Sequence, residues 1–173
     1  MRAAAATAMV LIAASVAAGC GGSSKQTAQP KPSTATGSTH ADARATFDRA
    51  VRSALNENFR LSLYVLWHNR IPSWAQHSTR GPALAALRSS AATRQQRGIR
   101  VRSQPGHYTI VSVQLDPSYT RATGVVRDER RVFPYETGQR LGRSIAVDDH
   151  ARIELRRLGE TSRFVVWRVR PLR

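Results

Sequence analysis

Asp148-Asp149-His150 is the one place in the sequence where carboxylates adjoin an imidazole, a combination used in general acid–base chemistry and in metal binding. Asp149 falls in the same two-residue alternation as the apolar residues around it. A regular strand would turn its carboxylate inward, where burial raises a carboxyl pKa towards that of a general base. With Tyr64 or His150 nearby, Asp149 would be the catalytic candidate. The alternative is a β-bulge near Asp148 and Asp149 that exposes both side chains.

No other reaction motif occurs in the sequence. It has no glycine-rich phosphate loop and no Gly-x-Ser-x-Gly turn, and its five histidines are isolated from one another. We therefore predict no metal and no cofactor. A pocket beside Asp149 would be lined by the aromatic residues Tyr64, Trp67 and Trp167. The leading interpretation is a noncatalytic binding or interaction module, and the alternative is a small pocket enzyme that uses Asp149.

The charge balance indicates the kind of partner. The sequence carries 27 Lys and Arg against 11 Asp and Glu, a net charge of +16, and such a field attracts polyanions. Arg121 and Arg127 of one predicted strand, and Arg152 and Arg156 of another, share outward positions and are the predicted contacts for anionic lipid or an anionic wall polymer. The alternative is that the arginines reflect composition alone. Nucleic acid is not an expected partner, because no binding motif is present and the arginines are scattered.

A two-residue alternation of apolar and polar positions over residues 107–169 predicts a meander of antiparallel strands with one buried face. The predicted strands are residues 108–115, 120–128, 144–156 and 163–169. Pro134 cannot donate to a strand ladder, so residues 133–142 are predicted to be a connection. The small side chains of Ala122 and Gly124 predict a close approach by another element.

The alternation also assigns the two faces of this sheet. The residues predicted to face the helices are Val111, Val113, Val147, Ile153, Val165 and Trp167. The residues predicted on the opposite face, beside arginines, are Tyr108, Ile110, Phe164 and Val166. This opposite face is therefore only partly polar.

Two helices are predicted before the sheet. Phe47, Val51, Leu55 and Phe59 recur every four residues, which predicts an amphipathic helix over residues 41–58 that continues to about residue 67. A second helix is predicted between Pro82 and Gly98. Residues 41–173 are thus predicted to be one α+β domain, with N-terminal helices packed on one face of a curved antiparallel sheet, a cone-like roll.

The N-terminus predicts export. Residues 1–19 combine an early arginine with a short apolar run, as a signal peptide does, and Val-Ala-Ala-Gly-Cys, ending at Cys20, resembles the bacterial lipobox. The resemblance implies that Cys20 is acylated, with palmitate-type chains, and becomes the first residue of a lipoprotein anchored at the extracytoplasmic face of the cytoplasmic membrane. Residues 20–40 would then be the lipidated cysteine and a disordered tether. The alternative is an ordinary signal peptide with an incidental cysteine.

The order of elements, two helices followed by an antiparallel meander, resembles the nuclear transport factor 2-like superfamily, which includes ketosteroid isomerase. Three short stretches are similar to parts of uncharacterised actinobacterial lipoproteins of this type: Gly81-Pro82-Ala83-Leu84, Asp116-Pro117-Ser118-Tyr119 and Arg163-Phe164-Val165-Val166-Trp167. The resemblance covers residues 41–173 and implies a sheet folded around a pocket, and homodimers in some members. The aspartate and its tyrosine or acid partners in the isomerases have no residue-by-residue match in this sequence. A noncatalytic module of the cell envelope is thus the leading prediction, and a pocket enzyme of the isomerase or dehydratase kind is the alternative.

Overall fold

The computed structural model describes residues 36–172, so the predicted signal peptide, Cys20 and residues 21–35 lie outside the described part. The elements, in order, are α1 (Thr36–His68), a short 3₁₀ helix (Ser73–His77), α2 (Gly81–Gln96), β1 (Ile99–Leu115), β2 (Arg121–Glu136), β3 (Gln139–Arg140), β4 (Ile145–Arg157) and β5 (Phe164–Leu172). The strands form one antiparallel sheet in the order β1-β2-β4-β5, with β3 paired to β2. The predicted α+β class is confirmed.

Both helices pack on the same face of this curved sheet. The core between α1 and the sheet contains Val51 and Leu55 of α1 together with Val126, Ile153 and Phe164 of the strands. A second apolar cluster, formed by Leu61, Val65, Ala75, Leu84 and Ala91, joins α1, the 3₁₀ helix and α2. On the opposite face of the sheet, Arg121 of β2 and Arg152 and Arg156 of β4 are exposed, whereas Val165 of β5 is buried.

The predicted helix α1 is present and longer than expected. It begins at Thr36, before the predicted start at residue 41, and ends at His68, close to the predicted end. Residues 36–40, which we expected at the end of the tether, are therefore its first residues. The close approach predicted at Gly124 is confirmed, because a Cβ built there would lie 2.8 Å from Cδ1 of Leu55. α1 can lie this low on the sheet only because β2 has no side chain at this point.

The predicted inward position of Val111 is wrong. The β1–β2 register shifts between Ile110 and Ser112, which makes Val111 the extra residue of a β-bulge, and its side chain is 59% exposed. Since a bulge reverses the alternation, Tyr108 and Ile110 pack on the core from one side of it and Val113 from the other. Tyr108 and Ile110 are thus not on the open face.

The predicted face of the last strand is also wrong. Phe164 and Val166 are buried in the core under the helices, while Val165 is buried and Trp167 is half-buried. Val166 also bonds to the chain before α2: its N–H donates to the carbonyl of Ser78 at 2.8 Å, and its carbonyl accepts from the N–H of Arg80 at 2.9 Å. Every residue from 164 to 166 is apolar and buried, so alternation could not choose a face.

Pro134 lies within β2, not in a connection. Its Cα is in register with that of Val101, and its carbonyl oxygen accepts a hydrogen bond from the N–H of Leu141 at 2.8 Å. The missing N–H of the proline therefore falls beside the very short β3, where the ladder ends. β1 and β2 are consequently both longer than predicted, and they extend as one hairpin from Ile99 to Glu136.

Candidate anion-binding face

The open face of the sheet carries polar side chains along β2 and β4. The register sets Arg121 opposite Arg156, Thr123 opposite Glu154, and Val125 opposite Arg152. The residues between them in sequence, such as Ala122 and Leu155, are buried under the helices, so the alternation sends this set outward. A shallow depression of about 500 Å³ lies over these residues, and Ser112 and Gln114 of β1 border it.

Arg121 and Arg156 form a like-charge pair across two strands. Their Cα atoms are directly in register, and among residues 36–172 no carboxylate lies within 4 Å of either guanidinium. Like charges directly opposite each other in an antiparallel pair destabilise it, by roughly 0.2–1 kcal/mol. A sheet that keeps such a pair on its open face presents two donors to an anion.

Trp167 holds one member of this pair in place. The guanidinium carbon of Arg156 lies 4.0 Å from the centroid of the Trp167 ring, a cation–π contact. The ring in turn lies against Gly81, where an added Cβ would come within 2.8 Å of it and where the backbone has a left-handed φ of +55°. The start of α2 therefore fixes Trp167, and Trp167 supports Arg156.

The β1–β2 turn holds the other member. The carboxylate of Asp116 accepts hydrogen bonds from the N–H of Arg121 at 3.0 Å, the N–H of Thr120 at 2.8 Å and the hydroxyl of Ser118 at 2.8 Å. Its slight burial opposes ionisation, but these hydrogen bonds outweigh it and lower the pKa of Asp116 to about 2. The carboxylate is thus engaged by its own turn and positions the backbone of Arg121.

Two further arginines of β5 extend the positive surface. Arg168 is in register with Glu154, and Arg170 is in register with Arg152. Arg170 forms an ion pair with Glu154, with Nη2 of the arginine 3.1 Å from Oε1 of the glutamate. The depression itself is lined by three arginines and by Glu154, and Arg170 pairs with this glutamate.

Arg127 lies apart from the other three predicted contacts. Its guanidinium donates to both oxygens of Asp148, at 3.1 and 3.0 Å, and also forms an ion pair with Glu129. The hydrogen bond from Arg127 holds the pKa of Asp148 below its usual value, and the same bond raises the pKa of Arg127. The structure thus brings Arg121, Arg152 and Arg156 together and neutralises Arg127.

The predicted burial of Asp149 is wrong, and both Asp148 and Asp149 are exposed, as the alternative expected, but no bulge is the cause. The β2–β4 register runs without a shift past Asp149, which pairs with Asp128 on the face that bears the helices. Asp149 is nevertheless exposed, because α1 covers the β1 and β2 members of this row, Tyr108 and Asp128, and leaves the β4 member open. The alternation thus predicted the correct face for Asp149, but no helix lies over this residue to bury it.

The residues predicted to line one pocket with Asp149 do not meet. Tyr64 stacks on His68 at 4.2 Å and its hydroxyl accepts from Arg70 at 3.0 Å, whereas Trp67 packs edge-to-face on Tyr135 at 5.7 Å. Trp167 lies beneath Arg156. His150 is exposed, 3.5 Å from Asp148. The candidate base therefore has no assembled partner.

Asp128, the residue paired with Asp149, is the largely buried carboxylate of this pair, and the sequence pattern had not been used to predict it. Its side chain is 14% exposed and lies 3.2 Å from Arg130, whose side chain is 11% exposed. Burial raises the pKa of Asp128, Arg130 opposes this, and Asp149 adds to it. Burial, with a smaller contribution from Asp128, also raises the pKa of Tyr108. The period from Ala122 through Val126 continues to Asp128 and could have identified it.

This buried pair is structural. Phe59 of α1 stacks on Tyr108 with ring centroids 4.2 Å apart, and the guanidinium of Arg130 lies 5.6 Å from the Phe59 centroid. The hydroxyl of Tyr108 donates to the carbonyl of Leu55 at 3.3 Å. α1 therefore covers the Asp128–Arg130 pair from the helix side of the sheet.

Two further properties concern residues 36–172 only. None of the helices there combines the length and apolar character needed to cross a bilayer. No three residues of the His, Cys, Asp and Glu types come together there in a way that could hold a metal ion.

The fold and the open face define an α+β domain with helices on one side of the sheet and arginines on the other. No protein-family model matches the sequence, and no curated protein does. Among solved structures, the crystal structure of the intermembrane space region of chloroplast protein ARC6 matches with a TM-score of 0.60 and 13% sequence identity, over 72% of this chain and 95% of that chain. At this identity the match shows a shared fold.

Proposed function

We propose that this chain is a noncatalytic interaction module of the cell envelope, lipid-anchored at the extracytoplasmic face of the membrane, and that its open sheet face binds anionic lipid headgroups or an anionic wall polymer. The observation that carries the binding proposal is the cross-strand pair of Arg121 and Arg156, which faces outward without a carboxylate partner among residues 36–172. A bound anion would replace repulsion between the two guanidiniums with two charge-assisted hydrogen bonds.

The anchor is supported by sequence. The run ending at Cys20 resembles a lipobox, and three short stretches between residues 81 and 167 are similar to parts of actinobacterial lipoproteins with a nuclear transport factor 2-like domain. The ARC6 region, which shares the fold, comes by its description from an intermembrane space. A domain of this fold can therefore operate beside membranes, as the proposal requires.

The position of α1 supports a membrane-facing arginine cluster. Phe47 of α1 stacks on Tyr119 of the β1–β2 turn at 4.9 Å, whereas Trp67, near the other end of α1, packs on Tyr135 beside the β2–β3 hairpin. The first residues of α1 therefore lie at the same end of the sheet as Arg121. A lipid at Cys20 would keep the domain near the bilayer, where a basic surface adds to lipid anchoring.

The structure gives no support to the enzyme alternative, because Asp149 is exposed and Tyr64 and His150 have other contacts. The structure also gives no support to a homodimer that pairs through the open face. The apolar residues expected there are in the core, and two copies would bring arginine clusters together. We therefore propose a monomer at low ionic strength.

Anchoring and binding are tested separately. Cys20→Ala should abolish acylation, seen by mass, and release the chain from the membrane fraction. In the Cys20→Ala chain, Arg121→Glu with Arg156→Glu should abolish co-sedimentation with anionic phospholipid vesicles. Arg88→Glu with Arg97→Glu makes the same charge change at exposed positions of α2 and its C-cap, and should only weaken it. Equal losses in the two double variants would show that net charge, and not this face, binds the surface.

A further inference from the structure

A second cleft lies at the end of the domain away from the β1–β2 turn. The C-terminal ends of α1 and α2, the start of β1 and the β2–β3 hairpin surround a volume of about 470 Å³, which is within the range of small-ligand sites. Its walls include Trp67, Asn69, Gln95, Arg100, Tyr135 and Thr137. Trp67 is one of the predicted pocket residues, and Tyr135 lies within the segment predicted to be a connection.

Buried hydrogen bonds hold the base of this cleft. Asn69, directly after α1, has a left-handed φ of +51° and is 8% exposed, and its side-chain amide donates to the carbonyl of Ile99 at 2.6 Å. Its carbonyl accepts from Nε of Arg94 at 3.0 Å, and Nη2 of Arg94 donates to the carbonyl of Val65 at 3.2 Å. Both helix ends and β1 are thus joined through Asn69, so the cleft is preorganised.

The rim of the cleft carries backbone strain. Thr137 and Gly138 form the two-residue β2–β3 turn, with φ values of +47° and +85°. A turn of this kind favours Asn-Gly, and a β-branched residue at positive φ is unfavourable. Strained residues of this sort concentrate at ligand sites. Thr137 places a hydroxyl group at the rim of the cleft, and the asparagine that this turn favours would not supply one.

The side chains around the cleft restrict the chemistry of a ligand. Two aromatic rings, Trp67 and Tyr135, meet at 87° and offer an apolar corner. Arg100 is in register with Tyr135, and Gln95 and Thr137 add an amide and a hydroxyl. Among the described residues, no carboxylate lines the cleft. A matching ligand has a flat C–H face, several hydroxyls and a negative charge.

We propose that this cleft binds one ring of a carboxylate-bearing sugar. The C–H face of the pyranose packs in the corner between Trp67 and Tyr135, the carboxylate pairs with Arg100, and the ring hydroxyls bond to Gln95 and Thr137. The arginine supplies a charge-assisted, bidentate contact that a neutral sugar cannot use. The site is separate from the arginines of the open face and does not depend on lipid anchoring.

The test uses the three tryptophans as reporters. In the Cys20→Ala chain, Trp74→Phe with Trp167→Phe leaves Trp67 as the sole source of tryptophan fluorescence. Titration with N-acetylmuramic acid should change this emission saturably, and N-acetylglucosamine, which lacks only the carboxylate-bearing lactyl group, should bind about tenfold more weakly. Arg100→Gln should remove that preference. Arg102→Gln, two residues along β1, should leave it unchanged.

The proposal is overturned if Trp67 responds to neither sugar, or if both bind equally to the unsubstituted cleft. A preference that survives Arg100→Gln would also contradict it. If the double tryptophan variant fails to fold, the indole N–H resonance of Trp67 in the Cys20→Ala chain gives the same readout by NMR. Loss of vesicle binding through Arg121 and Arg156 would leave this result unchanged, so the two proposals fail independently.

Discussion

Arg121 and Arg156 face each other directly across β2 and β4, each held from a different side: Arg121 by the Asp116 turn and Arg156 by the ring of Trp167. The sheet register fixes the two Cα atoms opposite each other, while the Asp116 turn bonds the backbone of Arg121 and Trp167 contacts the side chain of Arg156. An anion bound between the two arginines would offset the repulsion of this like-charge pair.

Relief of this repulsion should stabilise the domain. Arg121→Glu turns the cross-strand pair into an attractive one, and we expect the free energy of unfolding to rise by about 0.5–1 kcal/mol at low salt. Urea denaturation measures it, and added salt should diminish the gain because exposed charges are screened. Arg88→Glu, on the exposed side of α2, is the control and should change stability little. A loss of stability in Arg121→Glu would count against a repulsive pair.

An anion that binds the folded state alone should stabilise it as well. Inorganic phosphate at ten times its dissociation constant adds about 1.4 kcal/mol, seen as a rise in Tm relative to chloride at equal ionic strength. The double variant Arg121→Glu, Arg156→Glu is the control: it lacks the proposed site, so any rise in its Tm measures the general effect of phosphate on solvation. An identical Tm rise in the variant would show that no site is involved.

Acid should loosen the β1–β2 turn. The folded-state pKa of Asp116 is about 2, below its usual value, so its hydrogen bonds contribute stability above the unfolded pKa, and that contribution is lost as pH falls from about 4 to 2. Asp116→Asn keeps one acceptor oxygen and removes the ionisation, so its stability should vary less with pH over this window. Denaturation curves across the window measure the difference, and parallel curves for the two proteins would contradict the assignment.

Close packing of α1 on β2 makes Gly124 sensitive to substitution. Gly124→Ala places a methyl group 2.8 Å from Leu55, which is fully buried, and should cost about 1–3 kcal/mol. The double variant Gly124→Ala, Leu55→Ala should be less destabilised than the sum of the two single variants, because the smaller residue makes room. Additive losses would mean that the two positions do not contact.

Substitution in the strained β2–β3 turn should stabilise the domain, in contrast to substitution at Gly124. Thr137→Asn suits the left-handed conformation and should stabilise the domain by about 1 kcal/mol in urea denaturation. Thr137→Val retains the branched side chain without the hydroxyl, and serves as the control that should not stabilise. A destabilised Thr137→Asn would show that the threonine makes contacts that outweigh its strain.

Sequence periodicity predicted the elements better than their faces. The repeat from Phe47 to Phe59 identified α1, and the alternation around Ile153 identified β4, because each pattern is long and uninterrupted. The bulge at Val111 reversed the face of β1 partway along, and nothing in the local sequence distinguishes this valine from its neighbours.

The candidate site was predictable in part for the same reason. Parity placed Arg121, Arg152 and Arg156 on the outward face correctly, because the β2–β4 register has no shift. It could not show that Asp148 and Glu129 would neutralise Arg127, which depends on tertiary ion pairs. Nor could it show that α1 covers Asp128 and not Asp149, because cover is a property of helix placement.

The most direct test of the central claim observes the two guanidiniums themselves. In the Cys20→Ala chain, inorganic phosphate is titrated while the Nε–H resonances of the arginines are followed by ¹H–¹⁵N NMR. We predict saturable shifts with one common dissociation constant at Arg121 and Arg156, and little change at Arg127, which is already paired with Asp148. Unsaturated shifts of similar size at all exposed arginines, or none at Arg121 and Arg156, would contradict an anion site on this face.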